Sequence, residues 1–424
     1  MLVLMPANTA LGQRAPQAQT YYVALGGANT NAGSITQPWA TVEYAGQTAK
    51  PGDTVLVRGG TYTEGEVWLR AEFGHCGKDG QYLTIAAYPN EVPVFTNGQR
   101  PFIIDCDYLR VQGLHFRNSK SIGIWGNNHV QVVGNSFKGD GYGYDAISSE
   151  GSDILIEGNI CDINGNTVGT QGHCYYIHQG TNIVVRGNTA RGMTGYGIHI
   201  FDQRRSEDPP DYERLIKDVV IEGNVCYESK ERSGIIVAAY DHARIENILI
   251  RNNIAYANAL SGIVVRSQVR NAQVYNNTLV DNGAEPIEIS GDDPDDPIEA
   301  LSIRNNIIDV NGHADVFYIR NYKAAISTTL IIDTNLYWPG PPKLLNAPEQ
   351  HVLAGDPRFA NRAGRDYHLS EGSAAIDAGL VLTQVMDDID RQSRPQGSGM
   401  DVGADEFSSL TLKLRLYLPL AIRS

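Results

Sequence analysis

Apolar residues recur at three fixed offsets around seven asparagines in the middle of the chain. The residues five before, three before and two after each asparagine are apolar in every repeat, and most of those at the first two offsets are β-branched. Offsets that differ by two residues mark one face of a strand, and β-branched side chains suit a pleated, buried surface. The asparagines are Asn135, Asn159, Asn188, Asn224, Asn253, Asn277 and Asn306.

The spacing of these asparagines predicts a stack of coils. The gaps between them are 24, 29, 36, 29, 24 and 29 residues. A period in this range between strand-like segments is typical of a solenoid, in which each coil buries its apolar face against the next one. Neighbouring strands of such a stack lie about 4.8 Å apart, so that each apolar position forms a continuous column. The sequence therefore predicts an all-β fold, a parallel β-helix.

Two columns of polar residues have structural explanations. Asparagine tolerates the left-handed backbone of a tight turn, and stacked asparagine amides can bond to one another along a ladder. The outward position two residues before the asparagine alternates in charge through Glu157, Arg186, Glu222 and Arg251. Opposite charges on adjacent strands contribute about 0.2–1 kcal/mol per pair. We therefore expect both columns to stabilise the stack rather than to carry function.

A second strand precedes each asparagine strand, and its outward positions carry the candidate chemistry. When the isoleucines of this strand are aligned between coils, His178 and His199 fall in one outward column, one coil apart. Tyr176 faces out on the same strand as His178, and Asp202 follows His199 by three residues. The polar insertion 203–214 comes next and explains the longest gap. Because long loops on one face of a solenoid often mark its binding face, we expect a groove here.

Both ends of the chain resemble those of known proteins. Residues 21–62 contain the runs YYV, GGANTNAG, PWATV, KPGDTVLVR and GGTY, and residues 356–407 contain DPRF, DYHL, GSAAIDAG and DVGADEF. The first segment resembles the N-terminal cap and first coil of secreted right-handed parallel β-helix proteins, a group that includes the family 9 pectate lyases. The second resembles the segment that closes many of the same proteins. The resemblance implies a right-handed helix and an extracellular location, in a group of lyases, epimerases, hydrolases and proteins without known activity.

Four parts of the chain follow from these observations. We expect residues 1–20 to be the remnant of a secretory signal, 21–345 to form the β-helix with an N-terminal capping helix, 346–407 to close it, and 408–424 to form a tail. No segment is long and apolar enough to span a membrane. We expect a secreted or cell-surface monomer.

Charge and cysteine content narrow the partners. The net charge is −14 and no basic run appears, which argues against nucleic-acid binding and requires a locally basic groove for any anionic substrate. Cys76 and Cys106 are a candidate disulfide, and Cys174 is a candidate free thiol. Cys161 and Cys226 share one inward column two coils apart, about 9–10 Å, which is too far for a disulfide. We therefore interpret these two as buried small hydrophobic residues.

The outward polar residues suit chemistry on a uronic acid polymer. β-Elimination needs a base for the proton beside the carboxylate, a group that neutralises the enolate, and an acid for the leaving oxygen. C5-epimerisation begins with the same proton removal. A stacked surface pair with local hydrogen bonds is the structural alternative for the two histidines. The candidates are His178, His199 and Tyr176 as acid and base groups, and Arg204, Arg205, Arg266 and Trp125 for substrate binding.

Calcium is a candidate cofactor. Residues 139–145 read GDGYGYD, and their YGYD partly resembles the Tyr-Gly-Phe-Asp-Pro-His motif of mannuronan C5-epimerases, although Ala146 and Ile147 replace the last two residues. The carboxylates of Asp140 and Asp145 are oxygen ligands of the kind that Ca²⁺ prefers, but a glycine-rich turn alone also explains this segment. The acidic run 292–296 offers similar ligands, and a solvated loop is the better interpretation of it. The family 9 lyases use a lysine base beside a calcium site made of several aspartates, but the central coils of this chain contain no compact aspartate cluster with a nearby lysine. The closest approximation is Lys138 near Asp140 and Asp145, and the Arg-His-Gly signature of family 6 alginate and chondroitin lyases is absent.

We therefore predict a carbohydrate-active enzyme that acts on an acidic polysaccharide as a lyase or a C5-epimerase. One alternative is a glycoside hydrolase, which needs two carboxylates about 5–9.5 Å apart across a groove. Asp145 and Asp202 are the best such pair. The other alternative is a glycan-binding surface protein without catalytic activity.

Overall fold

The computed structural model describes residues 17–408 apart from 74–75, 97, 99, 120–121, 140–144, 165–171, 204–207, 210–213, 242, 292–296, 311–316 and 323–328. Most of the predicted signal remnant and nearly all of the tail therefore lie outside the described residues. Within the described part of the chain, no helix is long and apolar enough to cross a membrane.

The chain winds into a stack of coils whose strands form three parallel sheets, which confirms the predicted parallel β-helix. In a complete coil a strand of sheet I is followed by one of sheet II and then by one of sheet III, and in the coils that contain Asn135 to Asn335 the asparagine turn joins sheets II and III. Sheet I contains β4 (Val67–Arg70), β7 (Phe102–Asp105), β10 (Ile122–Trp125), β13 (Ile147–Glu150), the first part of β16 (Tyr175–Arg186), β18 (Ile198–Gln203), β21 (Ile235–Tyr240), β24 (Ile263–Arg266), β27 (Ile287–Ser290), β30 (Ile319–Asn321) and β33 (Leu344–Leu345).

Sheets II and III complete the coils. Sheet II contains β1 (Thr20–Val23), β2 (Thr54–Val57), β5 (Leu83–Ala87), β8 (Leu109–Gln112), β11 (Gln131–Val133), β14 (Ile154–Glu157), the rest of β16, β19 (Leu215–Glu222), β22 (Arg244–Arg251), β25 (Val269–Tyr275), β28 (Glu299–Arg304) and β31 (Leu330–Asp333). Sheet III contains β3 (Gly60–Tyr62), β6 (Pro93–Phe95), β9 (His115–Arg117), β12 (Ser136–Lys138), β15 (Ile160–Asp162), β17 (Thr189–Arg191), β20 (Val225–Tyr227), β23 (Ile254–Tyr256), β26 (Thr278–Val280), β29 (Ile307–Asp309), β32 (Leu336–Trp338) and β34 (Leu353–Ala354).

Among the described residues, five further elements lie outside these sheets. Helix α1 (Val42–Thr48) follows β1, and the side chain of Thr41 caps its N-terminus by accepting the N–H of Tyr44. Two 3₁₀ turns span Ala71–Phe73 and Arg362–Gly364. The strands β35 (Phe359–Asn361) and β36 (Asp366–Leu369) form an antiparallel pair in the C-terminal segment.

The three apolar columns predicted from the sequence form the core. Every residue five before, three before or two after the seven asparagines is buried. Because each column stacks along the helix axis, the core is continuous from coil to coil. The paired charges on sheet II are also present, since Arg186 bonds Glu157 at 3.0 Å and Arg251 bonds Glu222 at 2.5 Å.

The asparagine amides form a continuous hydrogen-bonded ladder. Asn224 Nδ2 donates to Val185 O at 2.8 Å and to Asn253 Oδ1 at 2.9 Å, and Asn224 Oδ1 accepts both the backbone N–H and the amide of Asn188 at 3.0 Å. Each buried amide therefore joins its own coil to both neighbours. The predicted bonding along the ladder is confirmed.

The ladder asparagines do not have the left-handed backbone expected from the sequence. The residue before each of them has it instead, as in Gly223 with φ of 61° and Asn252 with φ of 55°. Glycine and asparagine tolerate this conformation, which explains why one of them precedes each of the seven asparagines, whereas Thr334 adopts it before the further ladder residue Asn335. At the end of the ladder, Glu349 Oε1 accepts the backbone N–H and the amide of Asn335 at 2.8 and 2.9 Å, and so takes the place of a further asparagine.

The register of sheet I differs from the predicted alignment by two residues. Tyr176 pairs with His199 and Ile177 pairs with Ile200, so His178 and His199 are not in one column. The cause is Tyr175, which takes the inward position that isoleucine occupies in the coils before and after it. Its ring is fully buried, and its hydroxyl lies within 3.0 Å of two backbone carbonyl oxygens.

Two disulfides are present, and one of them was not predicted. Cys76 and Cys106 are joined, with Cα atoms 5.5 Å apart, as the sequence allowed. Cys161 pairs with Cys174, with Cα atoms 5.9 Å apart, so the expected free thiol at Cys174 and the reduced Cys161 are wrong. Both side chains are buried in the interior, Cys161 on β15 and Cys174 just before β16. Cys226 is free and buried, as predicted.

The C-terminal segment packs along the outer face of sheet III. Tyr367 and Ala404 bury the outward side chains of Tyr227 and Tyr256. A fully buried ion pair between Arg394 and Glu406, at 2.9 Å, holds the segment together internally. Sheet III is therefore covered along these coils. On sheet I, outward side chains of β21 and β24 are also buried, in a smaller cluster.

Candidate active site

Aromatic and imidazole rings cluster on the outer face of sheet I. Its central outward column runs through Gly123, Ser148, Tyr176 and His199. Tyr176 stacks on His199 with ring centroids 4.4 Å apart, and the ring of His178 lies 3.7 Å from that of Tyr176. His178 Nε2 is 3.1 Å from Ser148 Oγ. The three residues predicted as acid and base groups are therefore together, although the register that unites them is different.

A third histidine completes this cluster. His173 precedes β16, and its Nδ1 accepts the backbone N–H of Tyr196 at 2.8 Å. Its Nε2 lies 3.2 Å from Nδ1 of His199. Burial, with the charges of His178 and Arg232, lowers the pKa of His173 to about 3. Burial, followed by the charge of His173, lowers the pKa of His199 well below its ordinary value.

These hydrogen bonds fix the tautomers of both rings. A backbone N–H can only donate, so Nδ1 of His173 is unprotonated and the neutral ring carries its proton on Nε2. That proton is donated to Nδ1 of His199, which places the proton of His199 on Nε2. Among the described residues, no group bonds to this Nε2. His199 can therefore present a neutral N–H donor to a ligand.

Asp145 lies one coil before His173, at the same edge of sheet I. Its Oδ1 accepts the backbone N–H of His173 at 3.2 Å. Burial raises the pKa of Asp145 to about 7, with backbone hydrogen bonds and the charge of Arg100 acting against the rise. A carboxyl group with this pKa is partly ionised near neutral pH and can exchange a proton there.

Two arginines flank the cluster along the helix axis. Arg100 lies on the N-terminal side and Arg232 on the C-terminal side, where its guanidinium is 6.0 Å from the ring centroid of Tyr196. Within the described residues, neither arginine has an ion-pair partner. Their charges nevertheless reach the cluster, because Arg100 lowers the pKa of Asp145 and Arg232 lowers those of both buried histidines.

Other predicted site residues lie elsewhere or are already paired. Asp202 is 3% exposed and bonds Arg214 at 2.7 Å. It points inward because it is in phase with Ile198 and Ile200 on β18, so the predicted carboxylate pair with Asp145 across a groove is wrong. Arg266 faces out but bonds Glu288 at 2.7 Å.

The remaining predicted binding residues have different outcomes. Trp125 is on the outer face of sheet I and is 42% exposed. Arg204, Arg205, Asp140 and the acidic run 292–296 lie outside the described residues. Lys138, the nearest match to a lysine base, ends β12 in sheet III rather than in sheet I.

One group of described carboxylates and histidines has the spacing of a metal site. Ligand atoms of His368, Asp390 and Asp405 lie within 4.8 Å of one another. Burial lowers the pKa of His368, but the bond to Asp390 and the nearby carboxylates outweigh it and raise the pKa to about 9. A protonated imidazole that bonds Asp366 and Asp390 has no lone pair for a metal, so this group is an ion-pair cluster. Calcium near Asp145 stays a prediction.

Sequence reasoning missed His173, Arg100 and Arg232. The first two could have been found with the correct register. Counted from the inward residue of each sheet I strand, Arg100, Asp145, His173 and Tyr196 all occupy the position two residues earlier. A titratable or basic residue at one position of several coils is a signal, but it emerges only when Tyr175 is recognised as an inward residue.

Comparisons with known proteins agree with this architecture. Among curated proteins, the uncharacterized protein YwoF of Bacillus subtilis is 27% identical over 219 residues, which cover 46% of each chain. A mannuronan C5-epimerase of Pseudomonas putida is 32% identical over 103 residues, which are 24% of this chain and 17% of the epimerase. The chain thus spans less than half the length of these curated relatives.

A solved structure and a family model both match most of the chain. The crystal structure of pectate lyase Pel9A superposes with a TM-score of 0.59 and 16% identity, and the match covers 93% of this chain and 97% of that chain. The family described as "Pel9A-like, right handed beta helix region" matches residues 21–292. Because this match spans more than half of the 424 residues, the chain belongs to the Pel9A-like right-handed β-helix family.

Proposed function

We propose that this protein acts on an acidic polysaccharide and removes the proton beside the carboxylate of a uronate unit, as a lyase or a C5-epimerase. The observation that carries the proposal is the neutral, hydrogen-bonded pair of His173 and His199 between two arginines without ion-pair partners. The net charge of −14 would repel a polyanion. Arg100 and Arg232 supply the local positive charge that such a substrate requires.

His199 is suited to stabilise the charge that develops on the uronate carboxylate. Removal of the C5 proton turns the carboxylate into an enolate, and preorganised donors aimed at that charge lower the barrier. The N–H at Nε2 of His199 is such a donor, and its direction is fixed by His173. His173 is thus a positioning residue, because it holds the tautomer of His199.

Asp145 is the candidate base. Its pKa of about 7 lies near the working pH, where proton transfer is most efficient. In elimination, Asp145 takes the C5 proton, the electron pair forms the C4–C5 double bond, and the C4–O bond breaks. The leaving oxygen takes a proton, for which the hydroxyl of Tyr176 is the candidate donor. In epimerisation, the proton returns to the opposite face of C5 and no bond to oxygen breaks.

The relatives support this choice of substrate class. A pectate lyase and a mannuronan C5-epimerase are named for reactions on acidic polysaccharides, and this chain is similar to both. Two disulfides fit an oxidising compartment, in agreement with a secreted protein. The hydrolase alternative lacks support at Asp202, which is buried against Arg214.

The test is the ultraviolet absorbance of unsaturated uronate during incubation with a panel of uronate polymers, with and without Ca²⁺. A rise identifies elimination and the substrate. If there is no rise, incorporation of deuterium from solvent at C5 identifies epimerisation. Absence of both reactions on every polymer would refute the proposal.

Variants then assign the residues. His199→Gln should lower kcat at least a hundredfold. The control is His129→Gln, in the turn before β11 of sheet II, which should leave kcat unchanged. Because Asp145 acts as a base only when ionised, activity should rise with pH through about 7. Asp145→Asn should abolish the reaction. Equal activity of His199→Gln and His129→Gln would contradict the assigned site.

A further inference from the structure

An aromatic platform lies on the outer face of sheet I, before the reactive cluster. Trp125 is 42% exposed, although tryptophan is among the residues that gain most from burial. Its ring meets that of Trp68 edge-on, with centroids 6.1 Å apart. A large aromatic side chain that is left in solvent beside a reactive cluster indicates a binding surface.

The local sequence keeps this platform open. Gly123 occupies the outward column beside Trp125, and a Cβ atom at this position would lie 2.9 Å from Nε1 of the indole and 3.6 Å from Nη1 of Arg100. A side chain at position 123 would thus push both groups away. The absence of one lets the indole and the guanidinium lie over the strand.

Arg100 lies over the same indole. Its guanidinium carbon is 4.9 Å from the ring centroid of Trp125, within the range of a cation–π contact. Within the described residues it has no ion-pair partner, so its N–H groups remain available for a carboxylate. An apolar ring face and a forked cationic donor therefore stand side by side.

We infer that Trp125 and Arg100 form a binding subsite for an acidic sugar unit of the substrate chain, separate from the unit that reacts. The ring face of the sugar packs on the indole, and its carboxylate takes the paired N–H groups of Arg100. The inference rests on the proposed function for the identity of the sugar.

The position of the subsite sets the direction of the chain. β10, which carries Trp125, is followed in sheet I by β13 and then by β16, which carries Tyr176. Two strand spacings amount to about 10 Å along the helix axis. This distance is longer than one sugar ring, so a polymer that fills both places runs along the axis of the β-helix. Affinity should therefore increase once an oligosaccharide is long enough to span the two places.

The test measures binding and turnover separately. Dissociation constants of oligogalacturonates and oligomannuronates, from dimers to hexamers, are measured calorimetrically for His199→Gln and for His199→Gln with Trp125→Ala. We expect Trp125→Ala to weaken hexamer binding at least tenfold and dimer binding less than twofold. Arg100→Gln should weaken hexamer binding similarly and reduce its dependence on salt.

The control is Ile160→Ala, which removes a side chain of similar exposure, 44%, from sheet III. Far-ultraviolet circular dichroism checks that each variant is folded. Hexamer binding by Trp125→Ala as tight as by Ile160→Ala would overturn the inference while leaving turnover, and hence the proposed function, intact. A third outcome combines two results: Trp125→Ala loses hexamer binding, and the wild-type protein turns over no polymer. It would refute the proposed function but keep the subsite. No binding of any uronate oligosaccharide would overturn both.

Discussion

Replacing Asn224 by alanine tests how strongly the asparagine ladder holds the coils together. The side chain is fully buried and makes four hydrogen bonds, two as donor and two as acceptor. Its loss leaves the backbone N–H of Asn188 and the carbonyl of Val185 without these partners.

The expected magnitude follows from this count. A typical hydrogen bond contributes about 0.5–1.5 kcal/mol net, and a buried group left unpaired costs about 1–3 kcal/mol. Four bonds lost around one site therefore predict a decrease of about 4 kcal/mol in the free energy of unfolding. Because a whole domain is stable by only about 5–15 kcal/mol, this one substitution removes a large share of the total.

Urea unfolding, followed by far-ultraviolet circular dichroism, provides the measurement. Asn164→Ala is the matched control, because Asn164 is exposed and its backbone φ is negative. We expect the control to change the stability by less than about 0.5 kcal/mol. A loss below about 1 kcal/mol in Asn224→Ala would refute the reasoning, since it would mean that the coils are held together by apolar packing alone.

Two further predictions concern the C-terminal segment and the disulfides. The pKa of His368 is raised from 6.5 to about 9 in the folded protein, so its stabilisation is complete below pH 6.5 and is lost as the pH rises through about 9. Between pH 6 and pH 10, the free energy of unfolding should fall by about 3 kcal/mol more in the wild type than in His368→Gln; equal pH dependence in the two proteins would contradict this ion-pair cluster. Replacing Cys161 and Cys174 by serine should cost about 3 kcal/mol of stability, from the chain-entropy estimate for a short loop, and should lower kcat because Cys174 anchors the neighbouring His173. Cys76→Ser should also cost stability but leave kcat unchanged, and equal kcat in both variants would argue against that anchoring.

The repeat of apolar residues was enough to predict the fold. Each inner column is read from residues at a fixed distance from an asparagine, and all of these residues are buried as expected. The three offsets are constant because an inserted residue beside the asparagine would move its amide out of the hydrogen-bonded ladder. The sequence therefore specifies sheet II and the asparagine turn more strictly than any other part of the coil.

The register of sheet I was harder to predict, because one of its inward positions is occupied by a tyrosine instead of an isoleucine. Tyr175 fills an inward place that isoleucine fills in neighbouring coils, and it does so because its hydroxyl reaches backbone carbonyls across the core. Aligning isoleucines placed His178 beside His199, where Tyr176 lies. The predicted residues do lie together, but His173, which bonds His199, is not among them. Their roles in catalysis stay a prediction.

The alignment of repeats also explains why the disulfide between Cys161 and Cys174 was not predicted. Cys161 and Cys226 do share an inward column, and that part of the prediction holds. The partner of Cys161, Cys174, is only 13 residues further along the chain and begins the next coil. An alignment of the repeats compares equivalent positions in different coils. It cannot detect a contact between positions that are not equivalent, such as the Cys161–Cys174 disulfide.

The three faces of the β-helix differ in what they leave available to a ligand. On sheet II, outward glutamates pair with arginines of neighbouring coils, as Glu222 does with Arg251. On sheet III, the C-terminal segment buries outward tyrosines such as Tyr227. Among the described residues, only sheet I combines a free imidazole N–H at His199 with arginines that lack ion-pair partners. We therefore expect that substitutions that abolish binding of the proposed polysaccharide will map to outward positions of sheet I.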